Sequence, residues 1–373
     1  MKKISIGVTM KYTENNRIFL TNGNNQNADL LYDLLVKTQK YDVFKVCLDR
    51  EYNDNPGAKK SFLSMNTAIE TLDILLCPVW SLSGKLYEKA TEHDIRLVDV
   101  SYGNLYASLA HDLISDKPSV RDKKHFQSLY IRNNPLKKAR WVSPHYEEQA
   151  QFYAVEVGIE LEKIKIIPYL WKPKYLNMFL KDRIENVRYE NHANKKSLAV
   201  YEPNINHTKT MVCPAYTILD YHKRVGFEKD QKIYMYGMPA HGGQKINNFF
   251  GGFPRDLIGN FEIKYRKPIN EILENSATIL SHQLGNSLNY TTLEALYLGL
   301  PIVHNSDHIM AGYRYEGYNV IDASKLLEQA FNHQDSDLVV YREAADEEIW
   351  KYSPDNEKNI STYIKLIEEL MDT

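Results

Sequence analysis

At 373 residues, with 46 Lys/Arg against 48 Asp/Glu and a formal net charge of −2, the chain exceeds the usual size of one hydrophobic core and has no overall charge excess. These figures exclude a generically basic nucleic-acid binder, and a hydrophobic content of 43% excludes a disordered chain. The apolar start Ile4–Val8 is too short for a signal sequence, and no run reaches the roughly eighteen apolar residues of a membrane span. Three scattered cysteines, Cys47, Cys77 and Cys213, form neither an even disulfide set nor a CxxC metal spacing. A soluble, cytoplasmic protein of two α/β domains with reduced thiols is expected.

In chain order, Ile4–Met10 predicts a buried first strand, and a helix follows from about Gln26 to Lys37 with Leu30, Leu31, Leu34 and Leu35 as its apolar positions. The loop between them, Thr21-Asn22-Gly23-Asn24-Asn25-Gln26-Asn27, lacks GxGxxG; a turn with a helix cap and a ligand-facing polar loop both stay open. Strands at Val43–Leu48, Ile74–Pro78 and Ile95–Val100, spaced by helix-length segments, predict a doubly wound parallel sheet through right-handed crossovers. Ligands bind such sheets beyond the carboxyl ends of the strands. Asp99, at the end of the last of these, is therefore the first candidate for a general base, with His111 and His145 as alternatives. An aspartate in that place also commonly caps a loop.

Between Lys117 and Arg140 eight Lys/Arg residues, among them Lys123, Lys124, Arg132, Lys137, Lys138 and Arg140, face one acid, Asp122, with Phe126, Tyr130 and Trp141 interleaved or adjacent. Such a block suits a phosphate backbone or a solvated loop. A strand Ala139–Ser143, a helix Tyr146–Val157 and a strand Ile164–Pro168 close this half, and the charged stretch Lys181–Lys196 reads as part of a crossing between domains.

The second half opens with a strand at Ser197–Tyr201, followed by the loop Glu202–Thr210, which contains Thr208 and Lys209, and a helix. Strands at Lys232–Tyr236 and Phe261–Arg266 flank a glycine-rich loop starting at Gly237 that has no Walker-type Gly-Lys-Ser/Thr. A helix at Ile269–Asn275 leads to the most informative stretch, His282–Asn305. Its loop Gly285–Tyr290 delivers the chain to a helix opening at Thr291, which stops at Gly299 and passes through Pro301 to the next strand. The entrance of that helix favours an anion, and Glu294, one turn in, can accept hydrogen bonds from a ribose. Thr291-Thr292-Leu293-Glu294 equally reads as a capping box. Helices at about Ala323–Phe331, Leu338–Trp350 and Asn356–Met371 finish the chain, the last with an apolar stripe of Ile360, Tyr363, Ile364, Ile367 and Leu370.

Leu293-Glu294-Ala295-Leu296 followed by Gly299-Leu300-Pro301-Ile302-Val303 resembles the nucleotide-sugar site of GT-B glycosyltransferases. The fuller set, Ser281-His282-Gln283, Asn286, Leu288-Asn289-Tyr290 and His304-Asn305, is similar to a family of bacterial and phage GT-B-like proteins. The resemblance implies two Rossmann-like, doubly wound α/β domains facing a central cleft: an acceptor domain at 1–170, a linker at 171–196, a donor domain at 197–355, and a helix at 356–373 crossing back onto the first domain. It implies metal-independent transfer of a sugar from a UDP-linked nucleotide sugar, with no other cofactor. Glu294 would bind the donor ribose, Lys209 and Thr208 the diphosphate, and Gly237, His282, Gln283, Asn286, Ser287, Asn289, Tyr290 and Thr291 would surround the donor.

Asn286 stands where many retaining members of that fold carry a second glutamate, which with Asp99 favours inversion. The position of Asp99 also resembles that of an aspartate in phage DNA glucosyltransferases. With the basic block, this points to hydroxymethylcytosine in double-stranded DNA as the acceptor, and to the host cytoplasm for a phage-encoded enzyme. A surface polysaccharide or other glycan acceptor is the alternative, as is a non-catalytic GT-B-like binding protein or a sugar-nucleotide epimerase.

Overall fold

The computed structural model describes residues 3–14, 22–82, 84–107, 137–180, 197–201, 211–237, 250–265, 267, 269–272, 276, 278–332 and 335–372. These fall into two compact units: unit 1 comprises Met1–Lys172 together with Tyr352–Thr373, and unit 2 is the continuous segment Pro173–Lys351.

Unit 1 holds a parallel sheet of seven strands, β1 (Ser5–Thr9), β2 (Asp42–Cys47), β3 (Leu63–Ser64), β4 (Ile74–Cys77), β5 (Arg96–Ser101), β6 (Lys137–Val142) and β7 (Ile164–Ile166), in the order β3-β2-β1-β4-β5-β6-β7. The central strands SIGVT and ILLC are buried throughout, as a parallel sheet covered on both faces requires. Between strands run α1 (Gly23–Lys37), α2 (Met65–Thr71), α3 (Lys85–Glu92) and α4 (Ala150–Val157). Helix α1 starts where Asn22 accepts the Asn25 N–H at 3.2 Å, and it buries Leu30, Leu31, Leu34 and Leu35. The segment expected as one helix over Tyr146–Val157 is instead a 3-10 turn, Pro144–Gln149, running into α4.

Unit 2 repeats the scheme with six parallel strands, β8 (Leu198–Tyr201), β9 (Ile233–Tyr236), β10 (Phe261–Lys264), β11 (Thr278–Leu280), β12 (Ile302–His304) and β13 (Tyr313–Arg314), ordered β10-β9-β8-β11-β12-β13. Its longer helices are α5 (Lys174–Leu180), α6 (Val212–Arg224), α7 (Tyr290–Tyr297), α8 (Val320–Phe331) and α9 (Asp335–Trp350), with single turns of helix at Arg255–Ile258 and Ile269–Ile272. Ala215 and Ile218 of α6 and Ala323 and Leu327 of α8 form one core with Leu198, Val200, Met235, Leu280 and Val303 of the sheet. Helix α7 ends as the sequence signals. Gly299 takes a φ of +71°, its N–H donates to Leu296 O, and Leu300 N donates to Ala295 O at 2.9 Å, the doubly bonded terminus that glycine permits.

The last helix, α10 (Glu357–Met371), belongs to unit 1. It buries Tyr363, Ile367 and Leu370 along one stripe, each contributing about 2 kcal/mol of apolar transfer, while Ile360 and Ile364 are half-buried. The Tyr363 ring lies 5.8 Å from that of Trp141 on β6, and its hydroxyl donates to Pro168 O at 2.8 Å. Where the chain leaves and re-enters unit 1, Trp171 N donates to Tyr352 O at 2.8 Å, and Asp355 accepts from Lys37 at 2.7 Å and Lys172 at 2.6 Å. No helix among the described residues is long and apolar enough to cross a membrane.

Candidate functional site

Strand order in unit 2 reverses between β8 and β11, so the carboxyl ends of these two strands flank the crevice where open α/β sheets bind ligands. The chain leaves β11 through Ser281, His282 and Gln283, which are 1%, 2% and 6% exposed. Buried side chains so close to a sheet edge have to be hydrogen-bonded. Gln283 N donates to Asn305 Oδ1 at 2.7 Å and Asn305 Nδ2 returns a bond to Gln283 O at 3.0 Å, tying the ends of β11 and β12 together. The Gln283 side chain donates to Ser281 Oγ at 3.0 Å and accepts from Asn289 Nδ2 at 3.3 Å. Gly285 turns the loop with a φ of +67°, and the Ser306 hydroxyl donates to Ser287 O.

This bracing decides where α7 begins. Asn289 is the cap: its Oδ1 accepts the Thr291 N–H at 2.9 Å and its carbonyl accepts Thr292 N at 3.2 Å. The capping box expected from Thr291 is therefore absent, because Thr291 already lies inside the helix and Glu294 is its fifth residue, beyond reach of the cap N–H. Two N–H groups expected to meet an anion are likewise used by Asn289. What the helix entrance keeps is its dipole, with Glu294 buried behind it at 8% exposure. Tyr290 is buried too, whereas Asn286 and Ser287 are half-buried and Gly285 is exposed.

Two histidines stand at the ends of β11 and β12. His304 is fully buried; its Nδ1 accepts Ser306 N–H at 3.2 Å, so Nε2 carries the proton donated to Ala311 O at 2.8 Å. His282 meets the Tyr315 hydroxyl through Nδ1 at 2.9 Å, with its ring flanked by Tyr315 and the exposed Tyr318. Burial lowers both imidazoles from 6.5 to about 4, so both are neutral near pH 7. Beyond β12, Arg314 donates to Ser306 O at 2.7 Å, and the buried Glu348 of α9 accepts Met310 N at 3.2 Å, which fixes the next loop.

Thr208 and Lys209 lie outside the described residues, as do His111, Lys123, Lys124 and Arg132. Gly237 ends β9 with a φ of +87°, its N–H donating to Lys264 O at 3.0 Å. Asp99 sits inside β5 rather than at its end, in register with Cys77 and Arg140, and accepts from the Ser81 hydroxyl at 3.3 Å. It is also one strand away from the reversal between β1 and β4 in unit 1. His145 is half-buried, packed against the rings of Tyr146 and Tyr169.

Lys137 and Lys138 begin β6, with Lys138 half-buried. Arg140 does not belong to an exposed basic face. It is 8% exposed, pairs with Glu156 at 2.7 Å, donates to Ser101 Oγ at 2.8 Å and lies 4.7 Å over the Tyr153 ring. Its charge is neutralised within unit 1.

Sequence reasoning passed over two acidic features. Glu51, beside the end of β1, accepts Tyr12 N–H at 3.3 Å, and burial raises its carboxyl above the usual range. Only the fold brings it there, and no local pattern marks it. Asp335-Ser336-Asp337 is an Asp-x-Asp triplet at the start of α9. No group of three or more His, Cys, Asp or Glu side chains suited to a metal ion occurs among the described residues. The three cysteines are buried thiols outside any disulfide, and burial pushes the Cys47 thiol up to about 12.

Residues 6–367 match the family model described as "Protein of unknown function (DUF2827)". The chain belongs to that family. No match was found among curated proteins. Of solved structures, a glycosyltransferase from Rickettsia africae ESF-5 is similar over all of this chain and 99% of its own, with a TM-score of 0.56 and 11% identity. WaaG, a glycosyltransferase involved in lipopolysaccharide biosynthesis, is similar over 96% of this chain and 99% of its own, with a TM-score of 0.52 and 12% identity. HepE (Alr3699) of Anabaena, crystallised with UDP and glucose, covers 100% of this chain with 99% of its own at a TM-score of 0.49 and 10% identity. The DUF2827 chain thus has the α/β fold of GT-B glycosyltransferases, two parallel sheets with flanking helices.

Proposed function

We propose that the protein is a glycosyltransferase that moves a sugar from a UDP-linked nucleotide sugar, bound by unit 2, to an acceptor hydroxyl. The observation that carries this reading is the placement of the Ser281–Asn289 loop and Glu294 at the strand-order reversal of unit 2, in a chain with a GT-B fold. Glu294 is buried in α7 behind the helix entrance, and its carboxylate suits the two hydroxyls of a ribose. The α7 entrance then stabilises the diphosphate as it departs, together with Lys209 and Thr208. Asp99 stays the proposed base for the acceptor proton, with the Ser81 hydroxyl orienting it.

Incubation with a panel of UDP-sugars and acceptors, read by mass spectrometry, tests the activity; a chain that binds UDP and transfers nothing would support a non-catalytic binding protein instead. In Glu294→Gln, UDP binding should weaken about tenfold with the melting temperature unchanged. A lower melting temperature with unchanged affinity would reassign Glu294 to stability.

For the acceptor we propose two classes. The basic block supports hydroxymethylcytosine in duplex DNA, although Arg140 contributes nothing to it. The second class is a surface polysaccharide or other glycan; WaaG, of similar fold, is a glycosyltransferase involved in lipopolysaccharide biosynthesis. Retention on duplex DNA that is absent even at low salt would remove the first class.

A further inference from the structure

We propose that His282 is a neutral hydrogen-bond donor to the bound nucleotide, with its tautomer fixed by Tyr315. The inference rests on the donor-site reading above and adds to it the chemical form of one contact. His282 is 2% exposed at the carboxyl end of β11, beside the strand-order reversal, and its surroundings fix one side of the ring only. The Tyr315 hydroxyl has a single proton and two acceptors, His282 Nδ1 at 2.9 Å and Ser281 O at 3.5 Å. The nearer one takes it. A neutral imidazole accepting at Nδ1 carries its own proton on Nε2.

Among the described residues Nε2 has no hydrogen-bond partner, which contrasts with His304, where Ser306 and Ala311 use both nitrogens. Nε2 is not among the buried side-chain atoms that lack a partner, so its N–H is open to an incoming group while the rest of the side chain is held. An oxygen of a nucleoside diphosphate or of its sugar can accept it. The titratable groups facing the ring are Tyr315 and Tyr318, with Cys213 of α6 beyond Tyr315. Burial holds the imidazole down at about 4 and keeps the Tyr315 proton in place well above the ordinary tyrosine range. The contact therefore works without a positive charge and is unchanged across neutral pH.

The test is nitrogen-15 NMR of the histidine side chains in the full chain, with His282 assigned by its loss in His282→Gln, alongside calorimetric titration with UDP. Without ligand, His282 should show the Nε2–H tautomer and no titration between about pH 5.5 and 8. Saturating UDP should shift its Nε2 resonance. Tyr315→Phe should mix the tautomers and weaken UDP binding about tenfold, and His282→Gln, which keeps an N–H, should bind UDP more tightly than His282→Ala. The Nδ1–H tautomer, or a midpoint near 6.5, overturns the inference whatever UDP does. A resonance unmoved while calorimetry records bound UDP overturns it and leaves the donor site standing. No UDP binding by the wild-type chain overturns both.

Discussion

The strand-order reversals of the two units are equivalent places in two similar sheets, yet they use their polar groups differently. In unit 2, Gln283, Asn289 and Asn305 bond to one another and to the backbone, and the loop they hold is buried at both ends, Ser281–Gln283 and Leu288–Asn289. In unit 1, Thr9 bridges to Trp80 N and O, and Asn25 accepts Lys11 N–H at 3.1 Å, but Asn25 Nδ2 and Asn27 Oδ1 are buried without a hydrogen-bond partner. Each such atom costs about 1–3 kcal/mol. Amides that brace a loop leave the binding of ligands to groups they do not consume, and in unit 2 the Nε2 of His282 is one.

The sharpest way to break this comparison is acid. His282 and His304 take up protons near 6.5 when unfolded and only near 4 when folded. The unfolded state therefore binds more protons between these values. Stability is complete above about pH 6.5 and falls by up to about 3 kcal/mol per histidine as pH drops to about 4. Hydrogen exchange, corrected for intrinsic rates, should show β11 and β12 losing protection at pH 5 before β1 and β4. Equal loss in both sheets would erase the distinction.

A smaller effect is expected at Gly312, whose φ is +95° and where an added Cβ would lie 3.1 Å from His304 Nε2 and 3.2 Å from Ile302 O. Gly312→Ala should cost about 2–3 kcal/mol in urea denaturation, against almost nothing for Gly103→Ala in unit 1, where nothing stands within 4 Å. The smallest contrast lies in the caps. Asn22→Ala and Asn289→Ala should each cost about 1 kcal/mol by thermal melting, with only Asn289→Ala also reducing UDP affinity.

The buried apolar strands and the helix stop at Gly299 were legible because their causes are local: alternation, apolar runs and one residue able to take a positive φ. Two-residue edge strands such as β3 and β13 leave no such periodic trace. The start of α7 was misread for a physical reason. Thr291-Thr292-Leu293-Glu294 satisfies the capping spacing, but the winning cap is Asn289, which Gln283 orients from six residues away. Arg140 shows the same limit. Counting charges along the chain placed it in a basic block, whereas its partner Glu156 reaches it only after α4 folds back. The pairing of His282 with Tyr315 spans thirty-three positions and had no sequence signature at all.

Unit 2 is one uninterrupted segment, while unit 1 is made from both extremities, joined where Trp171 N meets Tyr352 O. During synthesis the inserted unit can finish folding first, because its last residue emerges ahead of the helix that covers Trp141. The earliest-made sheet is thus among the last to be sealed, and a prematurely terminated product would release a sound second half attached to an unfinished first.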